Sequence, residues 1–421
     1  MFKFIHAADI HLDSPLRGLS KYESAPVEAI LGACRRAFKK LVDLAIKEKV
    51  AFVLLAGDLY DGDWKDYSTG IFLSRQMGRL NQHAINVFAV AGNHDAANQM
   101  TKALDPSSNM KIFSAEKAET IKLATLSVAI HGRSFKTQHV DENLAAGFCD
   151  AQKGTFNIGL LHTSLDGREG HANYAPCTLN DLRSKGYQYW ALGHIHKQEI
   201  VTQDPFVVFP GCIQGRHIRE SGPKGCIVVT VEDETITETE KISLDVLRWA
   251  HTQIDLTDSE DYRDVREKVR KAIEKEQTFA EDRPLAMRIK LKGATRISDQ
   301  LAAFPERLEN EIKALGAETA DDNLWIERVE NITTGKHDLK TALADDNAPG
   351  RLLRAIISAP DDANQIDGLA SEIIKLRQNV PPEAFGADTS FDLNDNQTIK
   401  RIIGEAKKML VGRLLETGGE K

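Results

Sequence analysis

The sequence predicts an α/β sandwich over residues 1–245, followed by a smaller α+β domain and C-terminal helices. In the first part, short apolar runs are each followed by polar or turn residues and then by a helix-like or loop stretch. Their apolarity is continuous and does not alternate, which is typical of strands covered on both faces. Apolar residues at helical spacing from Phe38 to Ile46 predict a covering helix. The runs are residues 2–7, 51–56, 86–91, 125–130, 157–161, 187–192 and 206–209.

A different pattern begins at residue 246 and predicts a β-α-β-α-β domain that ends at residue 333. Apolar residues from Leu285 to Leu291 alternate with basic ones, which indicates a strand with one face in solvent. Residues 334–349 contain glycine, aspartate and proline and predict a linker. The predicted elements are a strand at 252–256, a helix at 262–273, a strand at 285–291, a helix at 301–315 and a strand at 324–329.

Residues 350–421 predict helices, and the last helix carries an apolar stripe from Ile399 to Leu414. A stripe at helical spacing serves either as intramolecular core or as a docking surface for a partner, and the pattern leaves both open.

Composition limits the classes of protein to which this chain can belong. Hydrophobic residues make up 42% and charged residues 28% of the 421 residues. No apolar run approaches the roughly 20 residues that a membrane span requires. The N-terminus opens directly into a strand-like segment without a charged leader, so we expect a cytoplasmic protein with no membrane contact. The five cysteines form no CxxC pair, which argues against a disulfide framework and a zinc knuckle.

Charge argues weakly against a nucleic-acid partner. The net charge of -8 is unusual for a protein that holds a phosphate backbone, because such proteins carry a basic face. Metal ligands would account for part of the acidic residues, and each bound divalent ion would return two positive charges to the site. The acidic balance therefore does not exclude DNA.

Potential metal ligands follow nearly every apolar run of the first half. In open α/β sheets, ligand sites lie outside the carboxyl ends of the strands, where side chains from separate loops meet. Any single histidine or aspartate in a loop is more often a solvated or hydrogen-bonded residue, but the ordered series indicates one shared site. The segments are Asp9-Ile10-His11, Gly57-Asp58-Leu59-Tyr60-Asp61, Gly92-Asn93-His94-Asp95, His162 and Gly193-His194-Ile195-His196.

The spacing and the chemistry of these residues indicate a divalent metal centre. Residues two apart in an extended segment project to the same side, so Asp9 can act with His11, and His194 with His196. Imidazole, carboxylate and amide oxygen together suit manganese, iron or zinc, and the lack of cysteine argues against a structural zinc site. Asp58, alone at its strand end, is the natural bridge between two ions.

Four further polar residues near the runs have less specific interpretations. His131 also ends an apolar run, but nothing pairs with it, so a core or loop histidine is favoured there. Asp61, Asp95 and Asp166 are either hydrogen-bond partners of ligands or ordinary turn residues.

The ordered motifs D-x-H, G-D-x-x-D, G-N-H-D, a lone histidine and G-H-x-H resemble those of the calcineurin-like metallophosphoesterases, over roughly residues 3–230. The resemblance implies a four-layer α/β/β/α sandwich that binds two divalent ions. It also implies that His94 is the catalytic histidine beside the leaving group. The implied ligands are Asp9, His11, Asp58 and His196 for one ion, and Asp58, Asn93, His162 and His194 for the other.

Two further stretches, residues 6–16 and 215–225, resemble the DNA repair exonuclease branch, and more narrowly its YhaO-like members, relatives of SbcD-type nuclease subunits. The resemblance implies a capping domain at 246–333, a coiled-coil ATPase partner docked on the C-terminal helices, and a possible homodimer. One position departs from the pattern. Repair nucleases often carry a second active-site histidine three residues after the bridging aspartate, and here that residue is Asp61.

The leading functional hypothesis is a manganese-dependent DNA exonuclease or endonuclease of two-metal type, with Fe²⁺, Zn²⁺ or Mg²⁺ as other metals. Two ions would activate water for attack on phosphorus, while His94 protonates or stabilises the leaving oxygen. Arg216, Arg219 and Lys224 would either neutralise backbone phosphates or form a solvated turn. The alternatives are a phosphodiesterase or phosphatase for a small or nucleotide-like substrate, and a non-catalytic scaffold, against which the complete ligand series counts.

Overall fold

The computed structural model describes residues 1–14, 30, 32–61, 68–97, 108–166, 174–320, 323–335, 343, 346, 348–360, 369, 372, 375 and 396–417. The chain divides into two compact units, the first ending at Trp249 and the second beginning at Ala250. The boundary predicted at residue 245 falls inside the first unit. The predicted linker at 334–349 lies mostly outside the described residues.

Two six-stranded sheets form the first unit. The first sheet has the order β12-β11-β1-β2-β3-β4, and the second has the order β5-β6-β7-β8-β10-β9. Strands β1, β2 and β3 are parallel, as are β6, β7 and β8. The strands are β1 (Phe2–Ala7), β2 (Phe52–Ala56), β3 (Asn86–Val90), β4 (Met110–Ile112), β5 (Glu119–Leu123), β6 (Val128–Arg133), β7 (Phe156–His162), β8 (Tyr189–Gly193), β9 (Glu199–Gln203), β10 (Phe206–Phe209), β11 (Gly225–Glu232) and β12 (Thr235–Ser243).

The two sheets pack face to face around an aromatic core. Phe4 and Phe52 stack with ring centroids 5.2 Å apart, and Tyr189 of the second sheet meets Phe4 edge to face at 5.3 Å. All three side chains are fully buried. The inner faces of both sheets are buried in this core, and their outer faces are covered by helices and loops. The inner strands therefore need apolar residues on both faces, which explains the continuous apolar runs.

Helices and loops cover the outer faces of the sheets. Helices Ala33–Lys47 and Ser68–Gln82 pack on the first sheet through residues such as Phe38 and Met77. The second sheet is covered by 3-10 turns, by the short helix Leu179–Arg183 and by loops that pack around Trp190. The predicted four-layer α/β/β/α architecture is therefore confirmed, with a thin outer layer on the second sheet.

Several strands were not predicted from the sequence. Strands β5, β9 and β12 lie at sheet edges and expose much of their surface, so they lack the apolar run that marks an inner strand. Strand β11 is buried between β1 and β12, and its run Cys226–Val231 carried a signal that the prediction did not use. The run predicted at 125–130 begins as the 3-10 turn Ala124–Leu126 and continues as β6.

The second unit contains a three-stranded sheet with the order β13-β14-β16, where β13 is Arg248–Asp255, β14 is Leu285–Lys292 and β16 is Leu324–Asn331. A short two-stranded sheet joins β15 (Ala294–Thr295) and β17 (Thr334–Gly335). Helices Tyr262–Ala280 and Pro305–Ala320 pack on the main sheet around Val269 and Ile312.

The single helix predicted at 301–315 was wrong, because this segment forms two helices, Ser298–Ala303 and Pro305–Ala320. The break is at Phe304, which has φ -133° and ψ 74°. A residue before proline avoids the helical region, and proline is favoured at the first position of a helix, so Pro305 both ends one helix and begins the next.

Two helices of the C-terminal region are Ala348–Ser358 and Asn396–Thr417. The latter packs against Ser298–Ala303, and its Ile399 and Ile403 are buried within the second unit. The start of the predicted stripe therefore serves as intramolecular core, while Leu410 is 44% exposed. Among the described helices, none is both long and apolar enough to span a membrane.

Replacement of Phe4 by alanine should destabilise the first unit by about 3–5 kcal/mol, because it leaves a cavity between the two sheets. Ile71→Ala is the matched control, since Ile71 is 60% exposed on helix Ser68–Gln82 and its loss should change stability by less than about 0.5 kcal/mol. Denaturant unfolding of both variants measures the difference. Equal effects of the two substitutions would contradict the inter-sheet core.

Candidate metal centre and family membership

Five loops at the carboxyl ends of parallel strands form the candidate metal centre. β1, β2 and β3 of the first sheet lead into Asp9, Asp58 and Asn93, while β7 and β8 of the second sheet end at His162 and next to His194. Parallel strands end at the same edge of a sheet, so the side chains that follow them meet there. The convergence predicted from the sequence is thus a direct result of the topology.

The predicted ligands approach one another in two groups. In the first, the Nε2 atoms of His11 and His196 lie 3.3 Å apart, and Nε2 of His196 lies 3.9 Å from Oδ1 of Asp9. In the second, Nε2 of His162 lies 3.1 Å from Oδ1 of Asn93. Metal–ligand bonds of about 2 Å allow donor atoms that lie about 3–4 Å apart to bind the same ion, so both groups have the spacing of a coordination shell.

Asp58 lies between the two groups. Its Oδ2 atom is 3.5 Å from Nε2 of His162 and 3.9 Å from Nε2 of His11. A carboxylate with a histidine of each group on either side can bridge two ions. His194 joins the same region, since its backbone N–H donates to both carboxylate oxygens of Asp9 at 3.1 Å and its ring lies 5.2 Å from that of His162.

The burial of this cluster fits a bound cation. The carboxylates of Asp9 and Asp58 are almost fully buried, which is unfavourable for two anions without a compensating charge. Burial holds the pKa of His11 well below its usual value, so this ring is neutral and keeps a lone pair for a ligand bond. Among the described residues, Nδ1 of His11 is also a buried nitrogen without a hydrogen-bond partner. The donor set therefore fits divalent metal ions.

Hydrogen bonds orient two of the histidines toward the cluster. Nδ1–H of His162 donates to the carbonyl oxygen of Ala56 at 2.9 Å, and Nδ1–H of His196 donates to Oε1 of Glu220 at 2.6 Å. Each ring thereby turns its Nε2 lone pair inward. Such outer partners fix the tautomer of a ligand histidine and raise its basicity.

The backbone is strained where the candidate ligands lie. Asp9, His11, Asp58 and His194 have φ values of 50°, 46°, 50° and 101°, in the left-handed region that side-chain-bearing residues rarely adopt. Such conformations cost about 1–3 kcal/mol each and persist where the surrounding structure enforces them. Strain at four ligand candidates indicates a preorganised site.

Two glycines allow the loops to approach so closely. A Cβ atom at Gly57, which has φ +93°, would lie 2.3 Å from Nδ1 of His162. A Cβ atom at Gly92 would lie 2.3 Å from Oδ1 of Asp58. The glycines of the G-D and G-N-H-D motifs therefore provide the space into which the neighbouring ligand side chains fit.

Asp95 joins the loops that follow β2 and β3. Its carboxylate accepts hydrogen bonds from the backbone N–H groups of Leu59, Tyr60 and Gly92, at 3.1, 3.0 and 3.0 Å. Burial, with the nearby charge of Asp58, raises the pKa of Asp95 to about 7. Asp95 is a structural partner of the site rather than an ordinary turn residue.

His94 lies at the rim of the cluster, with 37% of its side chain exposed. Its backbone N–H donates to Oδ1 of Asp58 at 2.9 Å, and its Nδ1 lies 2.9 Å from Oδ1 of Asp61. The hydrogen bond to Asp61 raises the pKa of His94, so the ring more readily carries a proton that Nε2 can donate.

Comparison with known proteins gives the same assignment. The calcineurin-like phosphoesterase family matches residues 2–198, and the middle domain of metallophosphoesterase YhaO matches residues 249–334. The uncharacterized metallophosphoesterase YhaO of Bacillus subtilis (strain 168) is 34% identical over 346 residues, which are 80% of this chain and 83% of that protein. The chain belongs to the calcineurin-like metallophosphoesterases.

Two more distant relatives are named DNA double-strand break repair protein Mre11. The protein from Sulfurisphaera tokodaii is 25% identical over 67% of this chain and 72% of its own length. The protein from Saccharolobus solfataricus is 26% identical over 48% of this chain and 52% of its own length.

In this metallophosphoesterase, Arg216 connects the rim of the site with its outer support. Its Nη1 donates to Oδ2 of Asp61 at 2.9 Å, and its Nη2 donates to Oε1 of Glu220 at 3.0 Å. Although burial raises the pKa of Asp61, hydrogen bonds from His94 and Ser14 and the charge of Arg216 hold it below its usual value. Arg216 thus links the carboxylate behind His94 to the carboxylate behind His196.

The other two predicted substrate contacts have different surroundings. Arg219 is exposed, and Nζ of Lys224 donates to the carbonyl oxygen of His196 at 3.3 Å. Glu220, the partner of His196, was not predicted from the sequence, because no local pattern marks a residue that supports a ligand. His131 lies outside the candidate ligands, and Asp166 is exposed.

Gly92→Ala should lower metal content at least about tenfold, because the added Cβ displaces Asp58 from between the two ligand groups. The matched control is Gly78→Ala on helix Ser68–Gln82, where an added Cβ meets nothing within 4 Å. Because glycine destabilises a helix interior relative to alanine, this substitution should stabilise the protein by roughly 0.5–1 kcal/mol. Elemental analysis and thermal melting distinguish the two effects. Wild-type metal content in Gly92→Ala would contradict this role of the glycine.

Glu220→Gln should weaken metal binding by about 10-fold or more, because the amide lacks the charge that supports the imidazole of His196. Calorimetric titration of the metal-free protein with Mn²⁺ measures this change. Glu232→Gln, at an exposed end of β11, is the control and should bind as the wild type does. Identical affinities in both variants would show that Glu220 does not support the ligand.

Proposed function

We propose that this metallophosphoesterase is a two-metal phosphodiester hydrolase whose natural substrate is DNA and whose working metal is manganese. The observation that carries the proposal is the position of Asp58 between two groups of histidine, carboxylate and amide donors. The proposed ligands are Asp9, His11, Asp58 and His196 in one group, and Asp58, Asn93, His162 and His194 in the other. Bound divalent ions would polarise the phosphoester and lower the pKa of a water molecule.

His94 is the proposed general acid. Its Nδ1–H donates to Asp61, which leaves Nε2 directed away from that carboxylate. The raised pKa of His94 favours the protonated ring, and a protonated Nε2 can give its proton to the leaving oxygen. Asp61 holds the ring in this orientation, and Arg216 with Ser14 holds Asp61.

DNA as the substrate rests on the two relatives named DNA double-strand break repair protein Mre11. The manganese assignment rests on the mixture of imidazole, carboxylate and amide donors, which suits this ion. We propose exonuclease or endonuclease activity without a choice between them, because His94 and the ligand groups would serve either.

A small phosphodiester or phosphomonoester is the second candidate substrate, and one observation favours it. Arg216, the most buried of the three cations proposed to contact a phosphate backbone, is paired with Asp61 and Glu220. Together with the net charge of -8, this pairing reduces the attraction of the surface around the site for a polyanion.

His94→Gln should lower the rate of phosphodiester hydrolysis by about 100-fold or more while metal content stays at the wild-type level. The control is His83→Gln, since His83 is an exposed histidine that precedes β3, whereas the candidate ligand Asn93 follows that strand. The substrates are linear duplex, single-stranded and circular DNA and bis-p-nitrophenyl phosphate, each with Mn²⁺, with Mg²⁺ and with chelator. Elemental analysis accompanies each rate.

The outcomes separate the candidates. Manganese-dependent DNA cleavage that is lost in His94→Gln supports the nuclease, whereas cleavage of the small diester alone supports the second candidate. Loss of metal in His94→Gln would overturn the assignment of His94 as an acid that does not bind metal. A metal-loaded protein that hydrolyses none of the substrates would instead fit a non-catalytic scaffold.

A coiled-coil ATPase partner and a homodimer are proposed from the resemblance to repair nucleases. Helix Asn396–Thr417 is the proposed docking element, although Ile399 and Ile403 are buried within the second unit. Leu410, which is 44% exposed on the same helix, is an apolar residue that a partner could contact.

A further inference from the structure

A second group of reactive side chains lies on the outer face of the second sheet, apart from the candidate metal ligands. It consists of Cys149, His131, Asn157, Tyr187 and Thr120. Along β6, Ile130 points into the inter-sheet core, so the adjacent His131 points to the opposite face. Cys149 is exposed, whereas His131 is buried beneath it.

The orientation of the Asn157 amide follows from its backbone partners. Its Nδ2 donates to the carbonyl oxygens of Gln152 and Thr155, at 3.0 and 2.8 Å, and its Oδ1 accepts from the N–H of Gln152 at 2.8 Å. The reverse orientation would place a donor against that N–H and an oxygen against two carbonyls. Oδ1 of Asn157 therefore faces Nε2 of His131, 3.1 Å away.

This orientation determines the tautomer of His131. Because Oδ1 of Asn157 can only accept, Nε2 of His131 carries the proton and Nδ1 carries the lone pair. That lone pair faces two possible donors: the hydroxyl of Thr120 at 2.8 Å and Sγ of Cys149 at 3.4 Å. The buried ring therefore presents its basic nitrogen to an exposed thiol.

Tyr187 holds the ring and the thiol together. Its ring stacks on that of His131 with centroids 4.3 Å apart and an interplanar angle of 14°. Its hydroxyl donates to the backbone oxygen of Cys149 at 2.6 Å and lies 3.9 Å from Sγ. The geometry of base and thiol is thus maintained from two sides.

The charge state of His131 suits a base. Burial lowers the pKa of His131, so the ring is neutral near pH 7 and its Nδ1 can accept a proton during attack. Assistance by His131 then operates in the transition state, as in general-base catalysis.

We propose that Cys149, with His131 as its base and Asn157 as the residue that orients the base, is a thiol-modification site for low-molecular-weight disulfides. Sγ of Cys149 attacks one sulfur of the disulfide while its proton passes to Nδ1 of His131. The new bond joins Cys149 to one half of the reagent, and the other half leaves as a thiolate. That thiolate takes the proton from His131 and departs as a thiol, so atoms and electrons balance.

The other cysteines do not compete for such reagents. Cys34, Cys177, Cys212 and Cys226 are buried. Burial raises the pKa of Cys34 to about 12, of Cys177 to about 11 and of Cys226 to about 12, and it raises that of Cys212 further. A folded protein should therefore take up one equivalent of reagent, at Cys149.

Replacement of Thr120 should raise the rate of mixed-disulfide formation, whereas replacement of His131 should lower it. The hydroxyl of Thr120 lies 2.8 Å from Nδ1 of His131 and competes with Sγ of Cys149 for the lone pair, and Thr120 is exposed on the edge strand β5. Thr120→Val removes this competitor and keeps a β-branched residue in the strand. Because the same hydroxyl lies 3.6 Å from Sγ of Cys149, the double variant Thr120→Val/His131→Gln is the control, and a gain that acts through His131 is absent from it.

The experiment measures the rate of mixed-disulfide formation with oxidised glutathione at pH 7, followed by intact-mass spectrometry. We expect one adduct on the wild type and none on Cys149→Ser. We expect the rate to fall about 10-fold in His131→Gln and to rise about 2-fold or more in Thr120→Val. Circular dichroism melting checks that each variant is folded.

A wild-type rate in folded His131→Gln, a rate in Thr120→Val that is unchanged or lower, or no adduct on the wild type would each overturn the proposal. Should His131→Gln fail to fold, Thr120→Val decides alone, because its substitution is confined to an exposed position. None of these measurements depends on phosphoesterase activity.

Discussion

The structure of the first unit depends on the burial of two carboxylates, Asp9 and Asp58, among histidine side chains. Anions in such surroundings are stable only when a cation compensates them, so the folded arrangement and the binding of metal are linked. Gly57 and Gly92 leave space for the neighbouring ligand side chains. Glu220 and the carbonyl oxygen of Ala56 orient the rings of His196 and His162. Asp95 joins the adjacent loops through hydrogen bonds to their backbone N–H groups. Four strained ligand positions are tolerated because all of these contacts oppose their relaxation.

Much of this arrangement could be predicted from the sequence because it depends on local pattern. Inner strands are covered on both faces and therefore appear as continuous apolar runs, and the polar residue that ends such a run lies at the edge where parallel strands meet. Edge strands such as β12 escaped prediction because their exposed faces are polar. The division of one predicted helix at Phe304 was also foreseeable, since Pro305 carries the signal.

Other features could not be predicted because their causes are distant along the chain. The sequence left Arg216 as either a phosphate contact or part of a solvated turn, and it could not indicate the ion pair with Asp61, 155 residues away. The tautomer of His131 depends on Asn157 and the backbone of Gln152, which the sequence does not place beside it. A pattern within one segment indicates which face is buried, but the identity of a polar partner requires the fold.

The antiparallel pairing of β1 with β11 affects how the chain assembles during synthesis. Phe2 lies opposite Val231, so during synthesis β1 gains its neighbour β11 only after most of the unit has been made. Asp9 and His196 are also far apart along the chain, so they can approach each other only after most of the unit has been made. Contacts between such distant segments slow folding and leave a nascent chain with an open strand edge. Until β11 has been synthesised, one edge of β1 is therefore available to chaperones or to incorrect strand pairing. The metal centre can form only after His196 has been synthesised as well.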